Sequence, residues 1–211
     1  MKKALITAGP THEAIDPVRF IGNHSSGKMG FALSEVLRDN GYDVTLIAGP
    51  VHLATPEGVK RVDVKSAYEM YSSCEKYYRE MDIAIFAAAV ADYTPKVVSD
   101  IKIKKSEDEF SIQLVRTKDI AKEMGLLKTK NQVNVGFALE TNDSSANATK
   151  KLRSKNFDFV VLNTLSKDNA CFGVDKNKIT ILEHNKSIDF EFKTKHEIAK
   201  DIVSHIQNEF I

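Results

Sequence analysis

Apolar residues along this chain come in two rhythms, short unbroken runs and stripes at helical spacing, and the two alternate. Ala4 to Ala8 is a run that reads as a first strand; Phe31, Ala32, Leu33, Val36 and Leu37 then recur at the period of an amphipathic helix. That helix stops at Asn40-Gly41, a glycine C-cap. Val44 to Ala48 is a second strand closed by Gly49-Pro50, and Val59 to Val64 alternates as a third. Ser66-Ala67-Tyr68-Glu69 has capping-box spacing and opens a helix through Glu80. Ile83 to Ala89 is apolar throughout, as a strand buried on both faces of a parallel sheet must be. This alternation predicts an α/β fold, a Rossmann-like, doubly wound and mainly parallel sheet.

The rhythm breaks after Ala91-Asp92-Tyr93-Thr94-Pro95, where the chain turns polar and basic. Ile101 to Lys104 and Phe110 to Val115 are expected to pair as an antiparallel hairpin tipped by Ser106-Glu107-Asp108-Glu109, a flap or oligomer contact spanning about residues 93–115. Helix returns over Asp119 to Leu127, and a buried strand over Val133 to Leu139 ends in the turn Glu140-Thr141-Asn142-Asp143. A helix from about Ser145 sets Lys151 and Lys155 on one face. A core strand (Phe157 to Leu162, ended by Asn163), a second hairpin (Ile179 to Leu182, Ile188 to Phe192) and a terminal helix (Ile198, Ile202, Val203, Ile206) follow. Repeats and low-complexity linkers are absent, so the 211 residues are expected to form a single domain, 1–211, with one well-buried core.

Charge and composition narrow the class. A net charge of +1, from 30 basic and 29 acidic residues, supports neither a nucleic-acid nor an anionic-membrane surface. The apolar runs are too short for a signal-peptide core or a membrane span, which points to a soluble, cytoplasmic protein. Cys74 and Cys171 stand apart without a C-x-x-C, and Cys171 has no histidine beside it, so neither reads as a nucleophile. The scattered histidines predict no bound transition metal.

The densest polar chemistry lies in Thr7 to Gly30, between the first strand and the first helix. A strand entering a helix through a Gly/Ser loop is where α/β proteins bind anions, because free N–H groups and the helix dipole converge there. Ser25 or Ser26 is expected to cap the helix, Gly27 and Gly30 permit close approach, and Asp16, Arg19 and Asn23 add a carboxylate, a cation and an amide. Gly22 to Met29 reads G-x-x-x-x-G-K but lacks the hydroxyl residue that a P-loop uses for magnesium. Only Gly27-x-x-Gly30 remains of a dinucleotide fingerprint, and the second strand ends in Ala48-Gly49 where that fingerprint needs an acid.

The loops carrying Gly9, Asp92, Glu140 and Asn163 should emerge at the carboxyl ends of the parallel strands and share one crevice. Taken singly, these residues have plainer roles. Lys104 and Lys105 fit edge-strand charges, Lys151 and Lys155 a solvated face, Asp92 a turn cap, and Asn23 an Asx turn. His12 and His24 read as hydrogen-bonding loop residues. Phe137 is first a core residue, at a strand end that also suits stacking on a base.

Together, however, the words Ile6-Thr-Ala-Gly-Pro-Thr11, Asp16-Pro-Val-Arg-Phe20, Asn23-His-Ser-Ser-Gly-Lys-Met-Gly30, Ala87-Ala-Ala-Val-Ala-Asp-Tyr93, Lys102-Ile-Lys-Lys105, Gly136-Phe-Ala-Leu-Glu-Thr141 and Lys155-Asn-Phe-Asp158 resemble the bacterial phosphopantothenoylcysteine synthetase family, the CTP-dependent phosphopantothenate–cysteine ligases of coenzyme A biosynthesis. The resemblance implies that the carboxylate of 4'-phosphopantothenate attacks the α-phosphate of CTP, giving an acyl-cytidylate and pyrophosphate. The amine of L-cysteine then displaces CMP.

By that likeness Asn23, Arg19 and Lys102 are the catalytic residues. Asn23 bonds the acyl-cytidylate, Arg19 holds the anionic substrate or assists the amine step, and Lys102 neutralises the triphosphate. As nucleotide-binding residues, Gly9, Ser26, Gly27 and Gly30 cradle the phosphates, and Phe86, Ala87, Ala88, Val115, Arg116, Thr117 and Lys118 supply walls and backbone contacts. Asp92, Phe137, Lys151 and Lys155 match positions that contact the nucleotide. Where the family often has Asn-Pro-Asp-Ile this chain has Thr117-Lys118-Asp119-Ile120, which adds the Lys118 charge.

The likeness further implies magnesium (Mg2+) with the CTP, a homodimer whose flap reaches toward the partner, and a stand-alone form without the flavin-dependent decarboxylase, hence no flavin. The residues leave open CTP against ATP, the magnesium ligands and the place of cysteine. Two rival readings are an NAD(P)-dependent reductase on the same sheet, which a nicotinamide-binding measurement would reveal, and a non-catalytic nucleotide-binding module, which would release no pyrophosphate.

Overall fold

The computed structural model describes residues 1–104, 110–140, 144–164 and 176–211. Its centre is an eight-stranded sheet. The strands are β1 (Lys3–Ala8), β2 (Asp43–Ala48), β3 (Lys60–Asp63), β4 (Ile83–Phe86), β5 (Val133–Glu140), β6 (Phe159–Thr164), β7 (Ile179–Leu182) and β8 (Ser187–Asp189), in the spatial order β8-β7-β6-β5-β4-β1-β2-β3. β1 through β6 run parallel, while β7 and β8 are antiparallel. The mainly parallel doubly wound sheet expected from the alternation is therefore present.

Helices cover both faces. α1 (Lys28–Asp39) and α5 (Lys195–Glu209) bury Leu33, Leu37, Ile198 and Ile202 against Ala4, Ile6 and Phe159; α2 (Ala67–Tyr77), α3 (Ile120–Leu127) and α4 (Ser144–Ser154) bury Met70, Met124 and Leu152 against Leu5 and Val160. Alternate residues of one strand enter opposite cores, which is why these strands read as unbroken apolar runs. Each fully buried Leu, Ile or Phe contributes about 1.5–3 kcal/mol.

Helix ends differ from expectation in instructive ways. Gly27, at φ 76 and with no side-chain cap, starts α1; the Ser25 hydroxyl accepts instead from Gly27 N at 3.3 Å. Ser66 does cap α2, accepting from Glu69 N at 3.2 Å, but the Glu69 carboxylate takes Lys65 N at 2.6 Å and not Ser66 N. The reciprocal capping box belongs to α5, where Thr194 Oγ1 accepts from Glu197 N at 3.2 Å and the Glu197 carboxylate accepts from Thr194 N at 2.9 Å. Thr194→Ala should lower stability by about 1 kcal/mol and the melting temperature by roughly 2–4 °C, measured by calorimetry.

Three short ribbons decorate the sheet, pairing His12–Ala14 with Phe20–Gly22, Tyr93–Pro95 with Leu114–Arg116, and Lys176–Asn177 with Lys193–Thr194. The second corrects the expected hairpin: Ile101 to Lys104 form no strand, because the Ile103 N–H and carbonyl are bonded to Asp16 and Arg19. The expected hairpin tip and Lys105, the turn residues 141–143 and Cys171 lie outside the described residues. Cys74 is buried, which pushes its thiol pKa up to about 12 and keeps it protonated.

The strand order reverses between β1 and β4, so the chain leaves these neighbours toward opposite sides. A crevice opens at their carboxyl ends. Gly30 brings α1 tightly onto β1, since an added Cβ would lie 2.5 Å from Ala8 Cβ.

Candidate active site

The crevice is divided into two chambers by one wall. The first, about 170 Å3, is lined by Ser25 to Gly30 at the start of α1, by Ala87 to Ala89, by Phe137 to Leu139, and by Asn163, Asn177, Ile179 and Lys195. The second, about 230 Å3, is lined by Thr7, Phe86, Ala88 to Val90, Asp92, Lys118 to Ala121, Phe137, Lys151, Lys155 and Phe157. Ala88, Ala89 and Phe137 face both.

The wall is held from behind by β1 and the loop after it. Ala87 N donates to Thr7 O at 3.2 Å, Ala88 N to Thr7 Oγ1 at 3.3 Å, Ala89 N to Gly9 O at 2.9 Å and Ala91 N to Thr11 Oγ1 at 2.9 Å. The Ala89 carbonyl accepts from Thr11 N at 3.3 Å and from the Asn23 side-chain amide at 2.9 Å. Asn23, exposed and outside the lining of either chamber, is thereby tied to a residue that faces both. Three alanines in a row leave room for ligand atoms where larger side chains would fill the wall.

The first chamber suits an anion. The opening turn of α1 carries no acidic residue and no side-chain cap, so its N–H groups and dipole face the chamber. Lys195, only 8% exposed, adds a cation from the start of α5, and buried Asn163 and Asn177 complete the far side. Among the described residues, Asn177 Oδ1 is a buried oxygen with no hydrogen-bond partner, so the chamber offers an acceptor to a ligand donor.

Three lysines line the second chamber, two of them paired with carboxylates. Lys151 Nζ lies 2.7 Å from Glu140 Oε1 and Lys155 Nζ 2.9 Å from Asp119, which itself caps α3 by accepting from Lys122 N at 3.2 Å. Lys118 Nζ stands 4.0 Å over the Tyr71 ring. Lys151 lies in the last turn of α4 and Lys155 just past its end, its N–H donating to Lys151 O at 3.1 Å, and both line the chamber. Phe137 lines both chambers.

The structure thus brings together Asn23, Ser26, Gly27, Gly30, Phe86, Ala87, Ala88, Asp92, Lys118, Phe137, Lys151 and Lys155, with the glycine-helix group and the lysines in different chambers. Gly9 lies under Gly27, whose added Cβ would meet Gly9 Cα at 3.4 Å. Arg19, Arg116 and Thr117 line an adjoining depression of about 800 Å3 that meets the second chamber at Lys118. Thr117 also braces the Asp92 loop, donating through Oγ1 to Ala91 O at 2.7 Å and through N to Asp92 O at 3.0 Å. Val115, on the ribbon strand, is 40% exposed, and exposed Lys102 lines neither chamber.

Sequence reasoning missed Lys195, Asn177 and Asp119. A lysine at the first position of a helix opposes the dipole, and that mismatch at Lys195 was the available signal. Among the described residues no group of three His, Cys, Asp or Glu side chains could hold a metal ion, and no helix is long and apolar enough to cross a membrane.

Comparison with known proteins follows this geometry. Residues 1–210 match the family described as the DNA/pantothenate metabolism flavoprotein C-terminal domain. The chain is 51% identical over 207 residues to a cysteine/cysteine sulfinic acid decarboxylase of an unknown prokaryotic organism, covering 97% of this chain and 58% of that protein. It is 47% identical over 201 residues to the coenzyme A biosynthesis bifunctional protein CoaBC of Haemophilus influenzae, covering 95% and 50%. The chain therefore spans about half the length of the curated relatives it matches. A crystal structure of the C-terminal domain of a coenzyme A biosynthesis bifunctional protein CoaBC aligns with a TM-score of 0.83 at 40% identity, covering 98% of this chain and 94% of that one.

Proposed function

This chain belongs to the family of DNA/pantothenate metabolism flavoprotein C-terminal domains, and from that premise we propose that it is a phosphopantothenate–cysteine ligase working through an acyl-cytidylate made from CTP. The observation that carries the reading is the shared wall. Joining an acid to a nucleotide needs two anionic ligands in separate pockets whose reacting ends touch, and Ala88, Ala89 and Phe137 belong to both chambers.

The second chamber takes the nucleotide, with Phe137 against the base, Asp92 beside it, and Lys118, Lys151 and Lys155 offsetting phosphate charge. The first chamber takes 4'-phosphopantothenate, its phosphate on the N–H groups of α1 between Ser26, Gly27 and Gly30 and near Lys195. Its carboxylate then lies against the wall. There a carboxylate oxygen bonds to the α-phosphorus as pyrophosphate leaves; next the cysteine amine, its ammonium proton already released, bonds through nitrogen to the acyl carbon, and CMP leaves as the nitrogen loses a second proton. Asn23, fixed to Ala89, steadies the mixed anhydride between the two steps. Magnesium enters with the triphosphate as part of the substrate and supplies charge neutralisation there.

The deciding experiment measures pyrophosphate release with each nucleoside triphosphate in turn. With CTP and phosphopantothenate, pyrophosphate should appear without cysteine, and CMP only after cysteine is added. Tight CTP binding with no pyrophosphate release under any substrate combination would overturn the ligase reading in favour of a non-catalytic nucleotide module.

A smaller prediction concerns the lysines of the second chamber. Lys155→Gln removes one charge-assisted contact and should raise the half-saturating nucleotide concentration about tenfold, the equivalent of 1.4 kcal/mol, with little change at saturation. Initial rates over a CTP titration check it. An unchanged half-saturation would place the triphosphate elsewhere.

A further inference from the structure

Among the described residues outside the two chambers, Asp16 is the most heavily engaged carboxylate, accepting five hydrogen bonds. Its side chain is fully buried beneath Arg19. One oxygen, Oδ1, accepts from Val18 N at 2.9 Å and Arg19 N at 2.8 Å, closing a local turn. The other, Oδ2, accepts from Arg19 Nε at 3.0 Å, from Arg19 Nη2 at 2.5 Å and from the backbone N–H of Ile103 at 3.1 Å. Arg19 Nη2 in turn donates to the Ile103 carbonyl at 3.0 Å.

The two oxygens thus do different work. Oδ1 makes a turn that any Asx side chain can make. Oδ2 and the guanidinium together clasp both polar backbone groups of one residue 87 positions away. Residues 97–104 belong to no helix or strand. Their other anchor to this loop is the Ser99 N–H, which donates to Ile15 O at 3.0 Å, so the strap is tied to the loop of Asp16 at two points. Lys102 and Lys104 flank the clasped residue and are exposed. Protonation would spoil the clasp, and the Arg19 guanidinium together with the backbone donors holds the Asp16 carboxyl well below the usual carboxylate range.

We propose that Asp16 is a positioning residue, whose Oδ2 clasps the Ile103 backbone together with Arg19 and so sets where the Lys102 ammonium stands. This rests on the ligase reading of Lys102. It adds that the loop after β1 and the strap are one mechanical unit, so that two of the residues assigned to catalysis, Arg19 and Lys102, are oriented by the same buried carboxylate.

The test is Asp16→Asn, which keeps an oxygen for Val18 N and Arg19 N but turns the Oδ2 position into an amide that faces the Ile103 and Arg19 donors. Ile103→Pro is the second variant, since it deletes the strap's N–H without touching the Asp16 turn. Hydrogen exchange of the segment 97–104 should quicken in both, while exchange in β1 and β4 stays as in the wild type. Formation of acyl-cytidylate from labelled CTP without cysteine should fall about tenfold in each, with half-saturating CTP within twofold of wild type. Combining Ile103→Pro with Lys102→Gln should give no loss beyond that of Lys102→Gln alone, whereas Asp16→Asn also releases Arg19 and adds its own loss.

Unchanged exchange in 97–104 overturns the clasp. Losses that multiply in the Ile103→Pro, Lys102→Gln double variant overturn the link to Lys102. A fully active Lys102→Gln instead sinks the ligase role of that lysine, and the exchange result separates the two failures.

Discussion

Asn23→Ala should lower turnover by roughly 10²–10³ while leaving CTP affinity within a factor of two or three, the signature of a lost preorganised donor. The geometry explains both halves. The Asn23 amide nitrogen is held 2.9 Å from the carbonyl of Ala89, a residue that faces both chambers, so one N–H is spent on the wall and the other N–H and the oxygen remain for a ligand there. A side chain fixed before the reaction loses no freedom when the mixed anhydride forms, so its removal falls on the barrier and not on ground-state binding. The lysine flank is a separate set of residues in the second chamber and should be untouched. Single-turnover measurement of pyrophosphate release and of amide formation, alongside calorimetric CTP titration, separates these effects. Wild-type rates in both half-reactions would remove Asn23 from the mechanism.

The sheet was legible from the chain because its strands are buried on both sides. Leu5 and Ile6 fall in different cores, so both faces of β1 from Ala4 on are apolar apart from Thr7 and the strand announces itself; Phe159 to Leu162 in β6 is apolar throughout. The strand over Ile101 to Lys104 misled for the complementary reason. Alternation of isoleucine with lysine imitates an edge strand, but the backbone of Ile103 is spent on Asp16 and Arg19, a contact across 87 positions that no local pattern encodes. The ribbon of His12–Ala14 with Phe20–Gly22 escaped notice because three residues carry too little periodicity; its stabilising contact, His12 stacked on Phe20 at 3.7 Å, is visible only in space.

The site was legible as residue types and illegible as a partition. The loop from Thr7 to Gly30 read as an anion site, and the uncapped start of α1 agrees with that. Lys151 and Lys155 shared a helical face on spacing alone, yet which way the face points depends on how α4 sits against β5 and α3, where Glu140 and Asp119 receive the two ammonium groups. That the glycines and the lysines line different chambers follows from the segment after β4, whose residues Ala87 to Ala89 stand between them. Lys195 could not be placed at all without α5 folding back beside α1.

Lys102→Gln should abolish the first half-reaction, by at least about 10²-fold, and leave the second within about twofold. At an effective dielectric of 20, a unit charge 4 Å from another contributes about 4 kcal/mol, so a cation that meets the triphosphate chiefly in the transition state can change the rate by that order. Cysteine attack on preformed acyl-cytidylate no longer involves pyrophosphate and should not need the lysine. Labelled CTP reports the first step and added acyl-cytidylate the second; normal acyl-cytidylate formation would rule the role out. Lys102 lines neither chamber of its own chain, which makes the origin of the serving lysine a question with a sharp answer. Equal mixing of Lys102→Gln and Asn23→Ala chains places both defects in one site and neither in the other if, in a two-fold dimer, Lys102 serves the partner's site; half the dimers are then mixed and about a quarter of all sites are intact. If Lys102 serves its own chain, every site carries one defect and the mixture recovers no activity above that of the two variants.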